Sequence, residues 1–281
     1  MSLPQALKTA PPSVPNVLIG FPADHVLSVT LDRPAQLNAM PSAQHPALSR
    51  LWHWYDSEPW LRCAVFTGIG RAFCAGADLK EWHERTPRGP SEKQEQGNIL
   101  EFGGFGGLSN RAGKKPIVAA VNGLCLGGGM EMVINIDIVI AAEGAKFGLP
   151  EVKRGVAAGA GALPRLARCV GRQRASEMAL TGRMYTADEM ARWGMVNRVV
   201  PGDRLMEEAL GVAKSIAENS PDSVIVSREG LKLGWEPISP QQASAQLATG
   251  ILAQLEVGEN MKEGLLSFTE KRAPRWNDSK L

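Results

Sequence analysis

Three short apolar segments alternate along the chain with segments of helical character. The apolar segments span residues 63–67, 117–121 and 136–141 and are rich in Val, Ile and Ala. Short apolar runs of this kind, bounded by turn residues, are typical of buried strands. A chain in which such strands alternate with helices is expected to adopt an α/β fold.

Two local patterns predict where helices lie. One apolar face repeats with helical spacing, and a Thr-x-x-Glu capping box marks the start of another helix, because both side chains can accept backbone N–H groups there. The residues are Leu48, Leu51, Trp52 and Tyr55 for the face, and Thr186 with Glu189 for the box. A further helix is predicted from Met130, after three consecutive glycines.

The chain is predicted to have three parts. Residues 1–16 are rich in proline and polar side chains, which favours a loose N-terminal arm. Residues 17–202 form the α/β core, from a strand at Val26–Leu31 to a last strand at residues 196–200. Residues 203–281 form a helical region that is interrupted by prolines and a glycine.

The charge balance argues against several classes of partner. Lys and Arg number 31, Asp and Glu number 29, and the formal net charge is +2. This near-balance gives no electrostatic basis for binding nucleic acid or an anionic membrane surface. The uncharged stretch at residues 116–130 is too short to span a bilayer. We therefore expect neither a nucleic-acid partner nor a membrane partner.

The cysteines and histidines argue against a metal site. The four cysteines contain no Cys-x-x-Cys pair, so buried and reduced thiols are expected, as in a reducing compartment. All four histidines lie within the first 83 residues, at no metal-ligand spacing. Acid–base chemistry further along the chain must therefore use carboxylates, Lys, Tyr or Cys.

The glycine-rich loops do not match the common nucleotide-binding motifs. Phe73 occupies the place of the third glycine of a dinucleotide fingerprint, and Gly129-Met130 follows the phosphate-loop spacing where Lys-Ser or Lys-Thr is needed. The sequence also lacks a Gly-x-Ser-x-Gly elbow. Hydride transfer, phosphoryl transfer and serine hydrolysis are therefore disfavoured.

Two glycine-rich segments could instead form an oxyanion hole. Residues 72–79 follow a predicted strand, and residues 127–131 place bare backbone N–H groups at a helix N-terminus. Donors facing each other from two such segments could stabilise an enolate formed from a carbonyl compound or a thioester. Glu131 and Glu151 lie nearby in the sequence, and paired carboxylates can move a proton at carbon and activate a water.

The residues alone leave a second interpretation open. The glycines could serve close packing, and each glutamate could be a solvated helix or loop residue. Residues 83–110 are charged at first and then glycine-rich, so they could form either a solvated loop or a lid over a substrate.

The motifs resemble those of the crotonase (enoyl-CoA hydratase/isomerase) superfamily over about residues 17–273. The matching segments are Leu31-Asp32-Arg33-Pro34-x-x-x-Asn38-Ala39, Ala72-Phe73-Cys74-Ala75-Gly76-Ala77-Asp78-Leu79, Val121-Asn122-Gly123-x-x-x-Gly127-Gly128-Gly129-Met130-Glu131, Phe147-Gly148-x-Pro150-Glu151, and residues 194–201 and 268–272. The resemblance implies a right-handed spiral of ββα units. A C-terminal helical region would drive the assembly of trimers, often paired as hexamers.

The resemblance also implies roles for individual residues. The backbone N–H groups of Ala77 and Gly128 would hold the thioester oxygen. Glu131 and Glu151 align with the two glutamates of the hydratase branch, which favours syn addition of water to a 2-enoyl-CoA. By analogy Glu151 would deliver the proton to C2, and Glu131 would activate the water that attacks C3.

Substrate binding is implied in the same way. Coenzyme A would enter as part of the substrate, with no tightly bound cofactor, and Gly159 would offer its N–H to a water. Phe268 and Lys271 resemble a pair that a subunit contributes to the acyl and phosphate ends, although Lys271 could equally be a solvated cation at a helix end. The residues implied to contact coenzyme A are Asn38, Ala39, Ala75, Asp78 and Leu79.

The chain ends in Ser279-Lys280-Leu281, which is a peroxisomal address at a free C-terminus. In a eukaryote we therefore expect a peroxisomal location and the import receptor as a partner. In any other organism a cytoplasmic location is expected.

The segment after Glu151 departs from the family pattern. Ala158 and Ala162 stand where the family usually has Pro and Gly, and Lys153-Arg154 is unusually basic. These departures bear on the choice of substrate more than on the reaction class.

The sequence therefore favours an enoyl-CoA hydratase and leaves three alternatives open. These are a Δ3,Δ2-enoyl-CoA isomerase, a hydratase or racemase of carnitine-type substrates such as crotonobetainyl-CoA, and a non-catalytic RNA-binding or scaffold member of the fold. The near-balanced charge argues against RNA binding.

Overall fold

Ten strands and eleven α-helices lie in residues 3–85, 99–235 and 238–281, the parts of the chain that the computed structural model describes. The strands are β1 (Val17–Ala23), β2 (Val26–Leu31), β3 (Cys63–Gly68), β4 (Ala72–Cys74), β5 (Ile117–Val121), β6 (Leu124–Leu126), β7 (Ile138–Ala142), β8 (Lys146–Gly148), β9 (Tyr185–Thr186) and β10 (Arg198–Val200). The helices are α1 (Gln44–Ser57), α2 (Leu79–Arg85), α3 (Gly128–Ile134), α4 (Ala162–Val170), α5 (Arg172–Thr181), α6 (Ala187–Arg192), α7 (Leu205–Ala217), α8 (Pro221–Leu233), α9 (Pro240–Thr249), α10 (Ile251–Glu256) and α11 (Glu259–Glu270).

Two sheets organise the core. The larger sheet has the order β1-β2-β3-β5-β7-β10, and the smaller has the order β4-β6-β8-β9. Only the pairs β1–β2 and β8–β9 are antiparallel among the described strands. Every residue of β3 and β5 is buried, as predicted for these two strands. This arrangement of buried strands and helices confirms the expected α/β fold.

The chain alternates between the two sheets in repeated units. β3, β5 and β7 lie in the larger sheet, and the strand that follows each of them, β4, β6 or β8, lies in the smaller one. A helix follows β4 and β6 directly, and a short 3-10 helix and then α4 follow β8. The predicted spiral of ββα units is therefore present.

The larger sheet buries both of its faces. Ala64 and Phe66 of β3 pack into the main core, where Phe66 makes edge-to-face contacts with Trp52 and Phe73 at centroid distances of 5.6 and 5.2 Å. The alternate residues Cys63 and Val65 pack against α7. This alternation follows from the two-residue period of a strand.

Helix α7 therefore belongs to the packing of the sheet, although the sequence places it beyond the core boundary at residue 202. Its small and apolar residues Leu205, Ala209, Ala213 and Ala217 face the sheet. The later helices α8 to α11 pack mainly on one another.

The N-terminal segment is anchored where the sequence favours a loose arm. Residues 3–16 contain no helix or strand. Even so, the backbone N–H groups of Lys8 and Thr9 donate to the carboxylate of Glu58 at 2.9 and 3.0 Å, and Trp54 Nε1 donates to the Thr9 hydroxyl at 2.9 Å. These long-range bonds leave no local pattern in the sequence.

Element ends differ by about two residues from the predictions. The strand predicted from residue 136 begins at Ile138, because the N–H groups of Asn135 and Ile136 still bond to carbonyls of α3. The capping box of Thr186 and Glu189 is confirmed at the start of α6. Part of the predicted lid or loop at residues 83–110, residues 86–98, lies outside the described residues.

None of the helices described is both long enough and apolar enough to cross a bilayer. All four cysteines are free thiols, three of them buried and Cys169 half-buried. Burial raises the pKa of each of these thiols, which disfavours the reactive thiolate.

Candidate active site

One cavity of about 850 Å³ opens where the strands of the smaller sheet end. Its wall includes the segments that follow β4, β6 and β8, three neighbouring strands that run parallel. Parallel strands bring their carboxyl ends to one edge of a sheet, and ligands commonly bind there. The topology thus brings together residues that are far apart in the sequence.

Two backbone N–H groups point to an oxyanion hole in this cavity. Met40 N–H donates to Gly76 O, and Asp78 N–H donates to Met40 O, both at 2.9 Å. The N–H of Ala77, which lies between them, and that of Gly128, at the start of α3, have no hydrogen-bond acceptor among the described residues. Both residues line the cavity.

The two donor segments are in close contact. Gly76 has a φ of +96°, and a Cβ atom on it would lie only 3.2 Å from Gly128 N. Glycine is required at this position because its left-handed backbone and the close approach both disfavour a side chain. The absence of a Cβ on Gly76 thus permits the two N–H groups to approach one site.

Glu131 is held firmly in the wall of the cavity. It lies in the first turn of α3 and is only 4% exposed. Its Oε2 accepts the N–H groups of Ala160 and Ala162 at 2.9 and 3.3 Å, while no described residue bonds to Oε1. Burial, followed by the charge of Glu151, raises the pKa of Glu131 to about 7 despite these two hydrogen bonds.

Glu151 enters the cavity from the segment after β8. A Cβ atom on Gly127 would lie 3.2 Å from Glu151 Oε1, so this carboxylate lies beside the second donor segment. Its Oε2 is buried and has no hydrogen-bond partner among the described residues. Burial raises the pKa of this carboxyl group as well.

The four groups together are suited to one type of chemistry. Two N–H donors can stabilise negative charge on a carbonyl oxygen, and two carboxyl groups with raised pKa values can exchange protons with a bound substrate. No group of three or more His, Cys, Asp or Glu side chains in the described part of the chain could hold a metal ion. The arrangement is therefore suited to proton transfer next to a carbonyl group.

A model of the enoyl-CoA hydratase/isomerase family matches residues 23–279. The chain belongs to this family.

Named relatives within the family indicate which of its activities this chain has. The chain is 59% identical to "Mevalonyl-coenzyme A hydratase SIDH" of Beauveria bassiana, over 96% of this chain and 98% of that protein. It is 51% identical to "Mevalonyl-coenzyme A hydratase sidH" of Aspergillus fumigatus, over 97% and 98%. The crystal structure of an enoyl-CoA hydratase from Bacillus anthracis superposes with a TM-score of 0.83 at 31% identity, covering 93% of this chain and 98% of that one. The chain is therefore a hydratase of the crotonase fold, a hydro-lyase for acyl-CoA thioesters.

The other predicted site residues that line the cavity are Ala75, Asp78, Leu79 and Gly159. Asp78 forms an ion pair with Arg33 at 3.1 Å, and its Oδ1 accepts the N–H of Glu81 at 3.4 Å, as expected for a residue that caps α2. Asp78 is thus already paired with a cation of its own chain.

Asn38 and Ala39 lie behind the cavity wall, next to Met40, which lines it. Asn38 is 2% exposed, and its Nδ2 donates to Ala72 O at 2.7 Å and to Ile69 O at 3.0 Å. Its Oδ1 accepts the N–H of Arg33 at 2.8 Å. All of these side-chain atoms are engaged within the chain, so Asn38 positions this turn, and only its backbone could face a ligand.

Phe268 and Lys271 lie at the end of α11 and are not among the residues that line the cavity of their own chain. Phe268 is 86% exposed, and Lys271 caps the helix in the left-handed conformation with a φ of 54°. A contribution of these residues to the site of another subunit stays a prediction.

The final residues of the chain contact the helical region. The Ser279 hydroxyl donates to the buried carboxylate of Asp222, and Lys280 Nζ donates to Glu259 Oε1 at 2.9 Å. Recognition of this segment by an import receptor stays a prediction.

One residue of the cavity wall, His45, is not indicated by any pattern in the sequence. His45, at the start of α1, lines the cavity beside Phe105, with ring centroids 4.6 Å apart. Burial lowers the pKa of His45 to about 4, against the opposing charge of Glu81. Neither the spacing nor a motif indicated this residue, because its neighbours in space are about sixty positions away in the sequence.

Proposed function

We propose that this hydratase interconverts mevalonyl-CoA and the 2-enoyl-CoA formed when mevalonyl-CoA loses water across C2 and C3. One observation supports the proposed type of reaction. Two carboxyl groups with raised pKa values line the same cavity as two backbone N–H groups that have no acceptor among the described residues. The identity with two mevalonyl-CoA hydratases, 59% and 51%, supports the choice of substrate.

In the dehydration direction the thioester oxygen accepts the N–H groups of Ala77 and Gly128. Ionised Glu151 takes a proton from C2, and the electron pair of that bond moves into the thioester to form an enolate. The enolate then collapses as the bond between C3 and its hydroxyl breaks. Protonated Glu131 donates a proton to the departing hydroxyl, which leaves as water.

Hydration follows the same steps in reverse. Glu131 takes a proton from the water that attacks C3, and Glu151 returns a proton to C2. One proton is thus held by the pair in either direction, and the pair as a whole neither gains nor loses charge. The pKa of Glu131, raised to about 7, suits it as the proton donor to the leaving hydroxyl.

The small residues around Glu131 provide room for the methyl group that mevalonyl-CoA carries on C3. Ala157, Gly159 and Ala160 line the cavity there, and the Ala160 N–H bonds to Glu131. The departures from the family pattern fall in this same segment. They are consistent with a branched acyl group at the reacting carbon.

The substrate brings its own coenzyme A, and no tightly bound cofactor is proposed. The thioester end lies along the backbone of Ala75 to Leu79. This segment follows β4 and lines the cavity as far as α2.

Self-association through the C-terminal helices is the second part of the proposal. Three apolar side chains near the end of α11, Leu265, Leu266 and Phe268, are 62%, 50% and 86% exposed. Trimers, alone or paired as hexamers, would cover such a surface. They would also allow Phe268 and Lys271 of one subunit to contact the substrate of another. Light scattering after size exclusion tests the assembly.

A peroxisomal location is proposed for a eukaryotic host, through recognition of Ser279-Lys280-Leu281 by the import receptor. Fluorescence imaging of the protein with the tag at its N-terminus, with and without the last three residues, tests this location. Loss of the peroxisomal signal on truncation is expected.

The test of the substrate uses the purified full chain with four thioesters. Mevalonyl-CoA and 3-hydroxybutyryl-CoA are followed by the gain of enoyl-thioester absorbance, and crotonobetainyl-CoA by its loss. Isomerisation of a 3-enoyl-CoA is followed by the gain of the same absorbance, because its double bond moves into conjugation with the thioester. We expect the highest kcat/KM with mevalonyl-CoA. A higher kcat/KM with one of the other three would assign the enzyme to that substrate instead.

A further inference from the structure

The cavity wall contains a polar side chain, His45, that packs against an aromatic ring. The imidazole of His45 lies against Phe105, and the ring of Phe105 fills the space in front of Gly128, where a Cβ atom would lie 2.4 Å from it. His45 is thus separated from the oxyanion donor of Gly128 by one side chain. His45, Phe105 and Gly128 all line the same cavity, so an acyl chain bound at Gly128 that extended along Phe105 would meet this imidazole.

The hydrogen bonds of His45 determine which ring nitrogen carries the proton. Gly106 N–H donates to Nδ1 at 3.1 Å, so Nδ1 is the unprotonated nitrogen. The Gly106 peptide is itself held, since its carbonyl accepts Trp52 Nε1 at 3.0 Å. With a pKa of about 4 the ring is neutral at pH 7, and its one proton is therefore on Nε2.

The bond from Gly106 is the only hydrogen bond of the His45 ring among the described residues, so Nε2–H has no acceptor there. The side chain is 8% exposed and lines the cavity, so little bulk water competes for this donor. A neutral donor in such a place suits an uncharged oxygen. It does not offer the positive charge that would bind a carboxylate.

We propose that His45 determines the substrate specificity of the enzyme by donating Nε2–H to a hydroxyl group on the acyl chain beyond C3. This inference rests on the proposed function, because the acyl group of mevalonyl-CoA carries a hydroxyl on C5, two carbons beyond the reacting C3. An acyl group without that hydroxyl leaves the donor unpaired. Sites built to bond a hydroxyl discriminate against analogues that lack it for this reason.

The test compares two substrates that differ only in this hydroxyl. They are the 2-enoyl-CoA derived from mevalonyl-CoA and 3-methylpent-2-enoyl-CoA, which has the same carbon skeleton. The measured quantity is the ratio of their kcat/KM values in hydration. A purely structural role of His45 would lower both values together and leave the ratio unchanged.

Two substitutions distinguish the roles of the two ring nitrogens of His45. In His45→Asn the amide oxygen can still accept the Gly106 N–H, but no donor reaches the position of Nε2. In His45→Gln the amide nitrogen can reach that position and donate. His53→Asn is the matched control, because His53 lies on the exposed side of the same helix. Its one hydrogen bond within the described part of the chain is to Ser49 O, at 2.7 Å.

We expect His45→Asn to lower the ratio about tenfold, the effect of one net hydrogen bond, while His45→Gln and His53→Asn keep most of it. If His45→Asn does not fold, His45→Phe replaces it with the same expected loss. An unchanged ratio in the Asn or Phe variant would overturn the role of His45 and leave the proposed function intact. A wild-type enzyme that does not prefer the hydroxylated substrate would overturn both the role of His45 and the proposed substrate.

Discussion

Glu131 and Glu151 face one cavity but are held in different ways. Oε2 of Glu131 accepts two backbone N–H groups, whereas Oε2 of Glu151 is buried and has no partner among the described residues. Burial raises the pKa of both carboxyl groups, and the charge of Glu151 adds to the effect on Glu131. Two such groups near each other hold a single proton over a range of pH and titrate as a pair.

The pair predicts a bell-shaped pH profile of kcat/KM. The active form carries one proton, so activity should fall as the pH rises above about 7, where the last proton leaves, and again in acid, where a second proton binds. Because hydration changes no net charge, both directions should show the same profile. Initial rates between pH 5 and 9 in buffers of constant ionic strength test this, and a flat profile over that range would contradict it.

Glu131→Gln should stabilise the protein in base while it abolishes activity. A folded-state pKa of about 7, above the ordinary value of 4.5, means that the wild type loses stability as the pH rises from about 4.5 to 7. The amide oxygen of glutamine can still accept the N–H groups of Ala160 and Ala162, but it does not ionise. The variant therefore avoids this loss, which is about 3 kcal/mol at pH 8. Thermal unfolding should show a higher Tm than the wild type at pH 8 and a similar Tm at pH 4.5. A lower Tm at pH 8 would refute this prediction.

Gly128→Ala should disrupt the oxyanion hole. The added Cβ would lie 2.4 Å from the Phe105 ring, so either the ring or the start of α3 must move. Displacement of one donor should lower kcat/KM by about 10²–10³. The control is Gly211→Ala in α7, where a Cβ would have no neighbour within 4 Å and kcat/KM should be unchanged. Equal activities of the two variants would show that Gly128 does not contribute a donor.

Asn38→Ala should destabilise the fold. The substitution leaves Ala72 O, Ile69 O and Arg33 N without their bonds to Asn38 and places an alanine at a φ of +55°. We expect a loss of about 2–4 kcal/mol in the free energy of unfolding, measured by urea titration. Asn219→Ala removes a hydrogen bond from an exposed asparagine to Ser215 and should change stability by about 0.5 kcal/mol or less. Similar losses in both variants would argue against this role of Asn38.

Local patterns in the sequence predict much of the fold. The buried strands β3 and β5 appear as uninterrupted apolar runs, and the capping box at Thr186 fixes the start of α6. The last strand begins two residues later than predicted, after Asn197, whose backbone N–H donates to Val139 O and whose side-chain Oδ1 accepts the Val139 N–H, both at 2.8 Å. Such bonds follow from tertiary packing, which has no period in the sequence.

The sequence indicates only those site residues that lie in recognisable motifs. Glu131, Glu151 and the two glycine-rich segments lie in short stretches with characteristic spacing, and the cavity contains them all. His45 lies near Gly106 only because α1 packs against the glycine-rich segment 61 positions further along. Its polar role in the cavity therefore required the three-dimensional structure.

The most direct measurement is the initial rate of hydration of the mevalonyl-derived 2-enoyl-CoA by the wild type, Glu131→Gln and Glu151→Gln. The loss of enoyl-thioester absorbance is followed at pH 7, with Gly211→Ala as the folded control. We expect rapid loss with the wild type and the control, and rates lower by about 10³ or more with each glutamine variant. Wild-type rates in either glutamine variant would contradict the claim that both carboxyl groups carry out the reaction.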